Sequence, residues 1–221
     1  MKKLIKGIAE FRKNVLPGYR DTFAKLALGQ SPDALFIACS DSRVAPNLFA
    51  STNPGDLFVV RNVGNLIPPC DAKGISTADE SEAAAIEFAL MTLQVRDIII
   101  CGHSECGAMQ ALVNGRERLT TPNLRAWLRH AEQSLSEKAS NLLVETPKER
   151  HNQVSQLNVL EQMAHLKTYP SVQTKMKEAK LRLHGWWFEL FTASVYAYED
   201  QAKRFTLIDE LEADRIMNTL L

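Results

Sequence analysis

Long hydrophobic runs, surplus charge of either sign and abundant cysteine are all missing from this 221-residue sequence, and each absence narrows its reading. The apolar stretches fall far short of the roughly 20 residues that a membrane helix needs, so no membrane span is expected. The 26 basic residues balance 26 acidic ones, which leaves neither the positive footprint of a nucleic-acid binder nor a polybasic membrane patch. Near the start, Lys6, Glu10, Arg12 and Lys13 interrupt any apolar segment of an export signal. Four cysteines are too few for a disulfide framework at this length; in a reducing compartment, thiols beside His and Asp favour metal binding or catalysis. The expectation is a cytoplasmic protein with no nucleic-acid and no membrane partner. Internal repeats and low-complexity segments are also missing.

What is present is an apolar content of 45%, ample for one α/β core. Leu4, Ile8, Phe11 and Val15 recur at helical spacing and predict an amphipathic helix ending before Pro17-Gly18. Its apolar face packs on its own domain or lies as an arm across a second subunit. A helix over residues 19–28 leads through Gly29-Gln30-Ser31-Pro32 into a strand at 34–38. Pro46 opens a short helix with Leu48 and Phe49, and residues 57–60 read as a second buried strand, parallel to the first. Residues 76–94 give the clearest helix, capped by Ser76 or Thr77, with Asp79, Glu80 and Glu82 at the positive end of its dipole. A strand at 98–101 completes a βαβ unit.

From residue 107 to about 180 the pattern is helical with breaks: one helix at 109–113, one from Thr121-Pro122, and a longer one through Val154, Leu157, Leu160, Met163 and Leu166 that Pro170 ends. Residues 181–188 read as a strand with its exit broken by Gly185, residues 194–198 as its hairpin partner, and a last helix runs from about Asp209 with Leu211, Ile216 and Leu220. The predicted fold is a single α/β domain over 1–221, with a mostly parallel central sheet flanked by helices and an antiparallel edge strand near the C-terminus. A helical arm spans 1–28, a metal-binding core 34–198 and a C-terminal segment 199–221.

Two strand ends carry the chemistry. Cys39-Ser-Asp41-Ser-Arg43 places a thiol, a carboxylate and a guanidinium at alternate positions, facing one side if the chain stays extended. Cys101-Gly-His103-Ser-Glu-Cys106 follows the other apolar run, at the strand ends where open α/β sheets collect ligands. Two thiolates and an imidazole from Cys39, His103 and Cys106 suit Zn²⁺ better than a hard ion, and three protein ligands leave a fourth position open. Asp41 competes for that position. If it binds the metal the site is shut; if Arg43 holds it in a bidentate pair, water binds instead. Cys101 reads as a core thiol and Cys70 as a loop residue.

With Pro54-Gly-Asp, Val60-Arg-Asn-Val-Gly-Asn65 and Ala84-Ala-Ile-Glu-Phe88 added, and Leu183-His-Gly-Trp-Trp187 late in the chain, these motifs resemble the β-class carbonic anhydrases from about residue 30 to 198. The resemblance implies reversible hydration of CO₂ to bicarbonate and a proton, by attack of a zinc-bound hydroxide oriented by Asp41 and Arg43, with one zinc per subunit on Cys39, His103 and Cys106. It also implies a CO₂ pocket lined by Gln30, Phe58 and Val63, with Phe88 where the plant-like branch commonly carries tyrosine. The Gln-Ser-Pro segment and Phe36-Ile-Ala-Cys39 are similar to that branch rather than to the one reading Trp-Ile-Gly-Cys, whose tryptophan helps form a bicarbonate site favouring the closed state. An open, water-ligated zinc near neutral pH is therefore expected. The family further implies a pocket shared between subunits, in a dimer or larger even oligomer. The proton relay stays open among His130, His151, His165 and His184. The rival readings are hydrolysis of CS₂ or COS on the same scaffold and a non-catalytic zinc-binding protein.

Overall fold

Strands rich in β-branched and aromatic residues build the centre of the computed structural model, which describes residues 1–135 and 146–220. The predicted helical character of residues 136–145 lies outside the described residues. Strand β1 (Ala34–Cys39) is buried along its whole length, as a parallel strand covered on both faces must be. Alternation splits its side chains between two layers. Leu35 and Ile37 join Ile98 and Ile100 in one apolar cluster, while Ala34, Phe36 and Ala38 join Ile99 and Cys101 in another.

The six strands run in the order β2-β1-β3-β4-β5-β6. Strands β2 (Leu57–Asn62), β3 (Asp97–His103) and β4 (Arg182–Glu189) are parallel to β1 or to one another through its neighbours. Strands β5 (Ser194–Glu199) and β6 (Arg204–Leu207) then fold back antiparallel. The predicted hairpin is therefore present, but β5 is not the edge. Strand β6, four residues long and too short to read from the sequence, takes that place. Because the chain passes from β1 outward to β2 and then back to β3 on the other side, the crevice beyond the ends of β1 and β3 is a topological switch point.

The helices depart from their predicted bounds for local reasons. Helix α1 (Lys2–Glu10) does not stop before Pro17-Gly18 but continues through a π-helical turn at Phe11–Val15 into α2 (Leu16–Leu26). The proline falls in the first turn after that changeover, where its missing N–H breaks no regular hydrogen bond. The short α3 (Pro46–Phe49) follows β1 as expected. Helix α4 (Ser81–Glu87), extended by a π-turn at Phe88–Thr92, begins later than predicted. The hydroxyls expected to cap it are used in the preceding loop: Ser76 donates to the Asp79 carbonyl and Thr77 to that of Pro69.

Helices α5 (Gly107–Val113) and α6 (Pro122–Trp127) follow β3. The 20-residue α7 (Pro147–Leu166) begins with a capping box between Thr146 and Glu149. Pro170 ends nothing; it opens α8 (Pro170–Lys177), a role its fixed φ suits. Helix α9 (Glu210–Leu220) closes the described chain. Gly185 lies inside β4 rather than at a broken exit, because a Cβ there would sit 2.8 Å from Met163 Sδ of α7. Gly102 does the same for β3, where a Cβ would sit 2.7 Å from Val159 Cγ2 and 3.2 Å from the Ser155 carbonyl. The two glycines let α7 lie directly on the sheet behind the switch point.

Candidate metal centre

Strand β1 delivers Cys39 and β3 delivers His103 at neighbouring C-terminal ends, and the turn after β3 brings Cys106 back to the start of α5. The two sulfurs and a ring nitrogen lie within 4.8 Å of one another, and all three residues are buried. His103 Nδ1 donates to the Ser104 carbonyl at 2.8 Å, which fixes the tautomer and leaves Nε2 as a bare lone pair. That Nε2 is buried and has no hydrogen-bond partner among the described residues. An orphaned acceptor beside two thiols is costly unless something electrophilic fills the space. The donor set fits a borderline-soft divalent ion such as zinc, with a fourth position to spare.

The electrostatics point the same way. Hydrogen bonding from the Cys106 thiol, with help from the Gly64 N–H, pulls the Cys39 thiol down to about 4 against the opposing effect of burial. The same contact, with burial, pushes Cys106 up, opposed by the N–H groups of Met109 and Ala108. A cation between the two sulfurs would take the place of the hydrogen bond they share. Cys101, by contrast, is fully buried among apolar side chains and its thiol is pushed up by burial alone, as a core residue should be. Cys70 is more than a loop filler, since its thiol donates to the Thr168 carbonyl at 2.9 Å.

Asp41 stands at the mouth. Arg43 grips it with Nε on Oδ1 at 2.9 Å and Nη2 on Oδ2 at 2.7 Å, and the Arg43 N–H adds a bond to Oδ1 at 3.0 Å. The guanidinium beside it holds the Asp41 carboxyl well below the usual range. Its Oδ2 nevertheless stays 3.9 Å from His103 Nε2. Arg43 Nη2 also reaches the Glu105 carbonyl at 3.0 Å, tying the two strand-end loops together.

The predicted pocket residues are only partly brought together. Phe58 and Phe88 pair with ring centroids 5.8 Å apart, and Phe88 is 42% exposed. Val63 is 44% exposed and adjoins Gly64, whose N–H lies on Cys39 Sγ at 3.4 Å. Gln30 is exposed on the loop before β1, and no hydrogen bond joins it to the others among the described residues. Of the histidines considered for a relay, His184 pairs with Asp97 at 2.7 Å at the opposite ends of the strands. His130 is buried in the segment between α6 and α7, His165 is buried in the last turn of α7, and His151 lies near the start of that helix.

Several supporting residues carried no sequence signal. Arg61 places Nε and Nη2 on the Cys39 carbonyl, at 3.0 and 2.6 Å, and Nη2 on that of Asp41 at 2.7 Å. From α7, Asn152 accepts the Glu105 N–H at 2.8 Å, Ser155 donates to the His103 carbonyl at 2.7 Å, and Asn158 donates to the Gly64 carbonyl at 3.0 Å. Their partners are backbone groups, which no side-chain motif announces. The recurrence of Asn152, Ser155, Asn158 and Gln162 at three- and four-residue intervals, which puts them on one side of the helix, was the available clue.

The sequence matches the carbonic anhydrase family over residues 34–195. A carbonic anhydrase from Synechocystis sp. is 40% identical over 202 residues, covering 90% of this chain and 71% of that one. Among solved structures, the β-carbonic anhydrase CcaA superposes with a TM-score of 0.85 at 38% identity, covering 94% of this chain and 98% of that one. One of two tetrameric β-carbonic anhydrases from Sordaria macrospora gives 0.74 at 29% identity, covering 89% and 97%. With the sheet order, the Cys-His-Cys cluster and these matches in agreement, the chain belongs to the β-carbonic anhydrase family.

Proposed function

We propose that the chain catalyses the zinc-dependent, reversible hydration of CO₂ to bicarbonate and a proton, with Cys39, His103 and Cys106 as the zinc ligands and Asp41 and Arg43 beside the reacting water. The observation that carries this reading is the set of three convergent soft donors with a carboxylate restrained just beyond them. Zinc held by this set would supply the Lewis acidity that makes a nucleophile of water. The chain's own contribution is orientation. Both Asp41 oxygens accept from Arg43, so the carboxylate stays ionised and accepts a hydrogen bond only from a protonated oxygen at the fourth position.

The same grip favours the open site over one shut by Asp41. Phe36 supports an affinity with the plant-like branch: it is fully buried, with Phe49 and Trp186 at centroid distances of 6.1 and 5.9 Å. We assign CO₂ to the apolar wall of Phe58, Val63 and Phe88, with Gln30 as its polar member. The exposure of Val63 and Phe88 is what a pocket completed by a second subunit would show, so the working unit is taken as a dimer or larger even oligomer. Among the described residues no helix is long and apolar enough to cross a membrane, and four free thiols suit the reducing cytoplasm.

Stopped-flow CO₂ hydration by the zinc-loaded protein tests this. Wild type should turn over rapidly, Cys106→Ser should lose metal and activity together, and Asp41→Asn should keep metal but lose activity by tenfold or more, on the order expected for outer-shell partners. A loaded wild type that leaves CO₂ untouched yet consumes COS or CS₂ would transfer the assignment to that substrate class. No turnover of any of the three would leave a zinc-binding protein without catalysis.

A further inference from the structure

The Val63–Gly64 peptide group is engaged at both ends. Trp127 Nε1–H donates to its carbonyl, that of Val63, at 2.7 Å, and its N–H, that of Gly64, donates to the Cys39 sulfur at 3.4 Å. Resting on the zinc assignment above, we propose that Trp127 is a positioning residue of the metal centre, which through this single peptide aims and strengthens the hydrogen bond on the Cys39 ligand sulfur.

A peptide whose carbonyl accepts a hydrogen bond is polarised and becomes a better donor at its N–H, so the indole, the amide and the sulfur form a cooperative chain. The turn around this peptide is fixed from the other sides as well. Strand β2 ends at Asn62, and the turn that follows carries Gly64 at φ +85°, a conformation that favours glycine. A Cβ at Gly64 would lie 3.1 Å from Ala108 Cβ and 3.3 Å from Met109 Cε, so the turn is pressed against α5 just after Cys106. On its other side the Gly64 carbonyl accepts from Asn158, itself fully buried on α7. Trp127, the last residue of α6, packs on the apolar cluster that contains Cys39, Leu66 and Cys106, and its ring meets His130 edge-on at 5.7 Å. The indole is thus held where its one polar atom meets one carbonyl.

The chemistry gives the effect a direction. A hydrogen bond to a metal-bound thiolate withdraws electron density from sulfur; without it the sulfur donates more charge and the metal becomes a weaker Lewis acid. Indole is a donor only, so Phe removes the bond while keeping an aromatic ring.

Cobalt(II) substituted into the full-length protein reads the sulfur directly, through the thiolate-to-cobalt charge-transfer absorption. In Trp127→Phe, and in protein carrying benzothienylalanine at position 127, which has the shape of tryptophan without the N–H, that absorption should move to lower energy. Loss of cobalt to a chelator should accelerate by about tenfold, and kcat for CO₂ should fall with KM little changed. An absorption and a loss rate that stay at the wild-type values in both proteins overturn the proposal, even if their melting temperatures drop. Should Trp127→Phe not fold, the isosteric protein decides. A wild type with no thiolate absorption removes the metal assignment and this proposal with it, whereas an absorption that ignores both replacements removes this proposal alone.

Discussion

Both oxygens of Asp41 are taken by Arg43, and the same guanidinium reaches across to the Glu105 carbonyl. Deleting that side chain leaves a carboxylate 3.9 Å from His103 Nε2 restrained only by the backbone N–H of residue 43 on Oδ1. Arg43→Ala should therefore lower CO₂ hydration by about tenfold or more, and adding Asp41→Asn to it should cost less than it does in wild type, since residues that act as a unit are not additive. Stopped-flow rates on the four proteins of that cycle check it; strict additivity would separate the two residues. At this scale the sequence was informative where function resides in side-chain spacing. Cys39, Asp41, Arg43, His103 and Cys106 stand in two short motifs, and the structure brings them to one place. Arg61, Trp127, Ser155 and Asn158 act on backbone groups, and a carbonyl leaves no mark on the sequence that its partner could be matched to.

Helix α7 shows the same limit one level up. Its apolar residues read correctly as a helix, whereas the part played by its polar residues did not show: Asn158 and Gln162 fasten the loop after β2, and Asn152 and Ser155 the end of β3 and the turn that follows. Gly102 and Gly185 make the contact possible by removing the Cβ atoms that would meet Val159 and Met163. Gly102→Ala pushes backbone and a β-branched side chain rather than a flexible tip. It should destabilise the fold by about 1–3 kcal/mol, as overpacking does, and lengthen the Ser155 contact to the His103 carbonyl. Urea unfolding and metal retention under chelator measure the two effects; a variant as stable and as retentive as wild type would show that α7 can slide without consequence. Helix ends were the least legible feature. Whether Pro17 or Pro170 stops a helix or begins one depends on the hydrogen bonds already broken nearby, which is a property of the turn before each proline.

At the scale of the whole molecule, the parallel sheet and its antiparallel return followed from the order of apolar runs, because short helical links leave parallel strands few alternatives. Strand β6 did not, since an edge strand buries only part of its surface. The long N-terminal helix was legible as amphipathic but not as to its partner. It stands with Leu4, Ile5 and Ile8 exposed, an apolar face of the kind that marks a contact surface. Protein lacking residues 1–15 should dissociate by light scattering relative to full-length protein at equal concentration, and unchanged mass would assign the arm to its own subunit. The position of the ligands has one more consequence, and it concerns time. Cys39 and His103 belong to strands that become neighbours only after the chain has gone out to β2 and returned, so no short segment of the nascent chain contains the site. The three candidate ligands converge only where β1 and β3 have paired, so a metal would find its complete donor set in the assembled sheet and in no isolated segment of it.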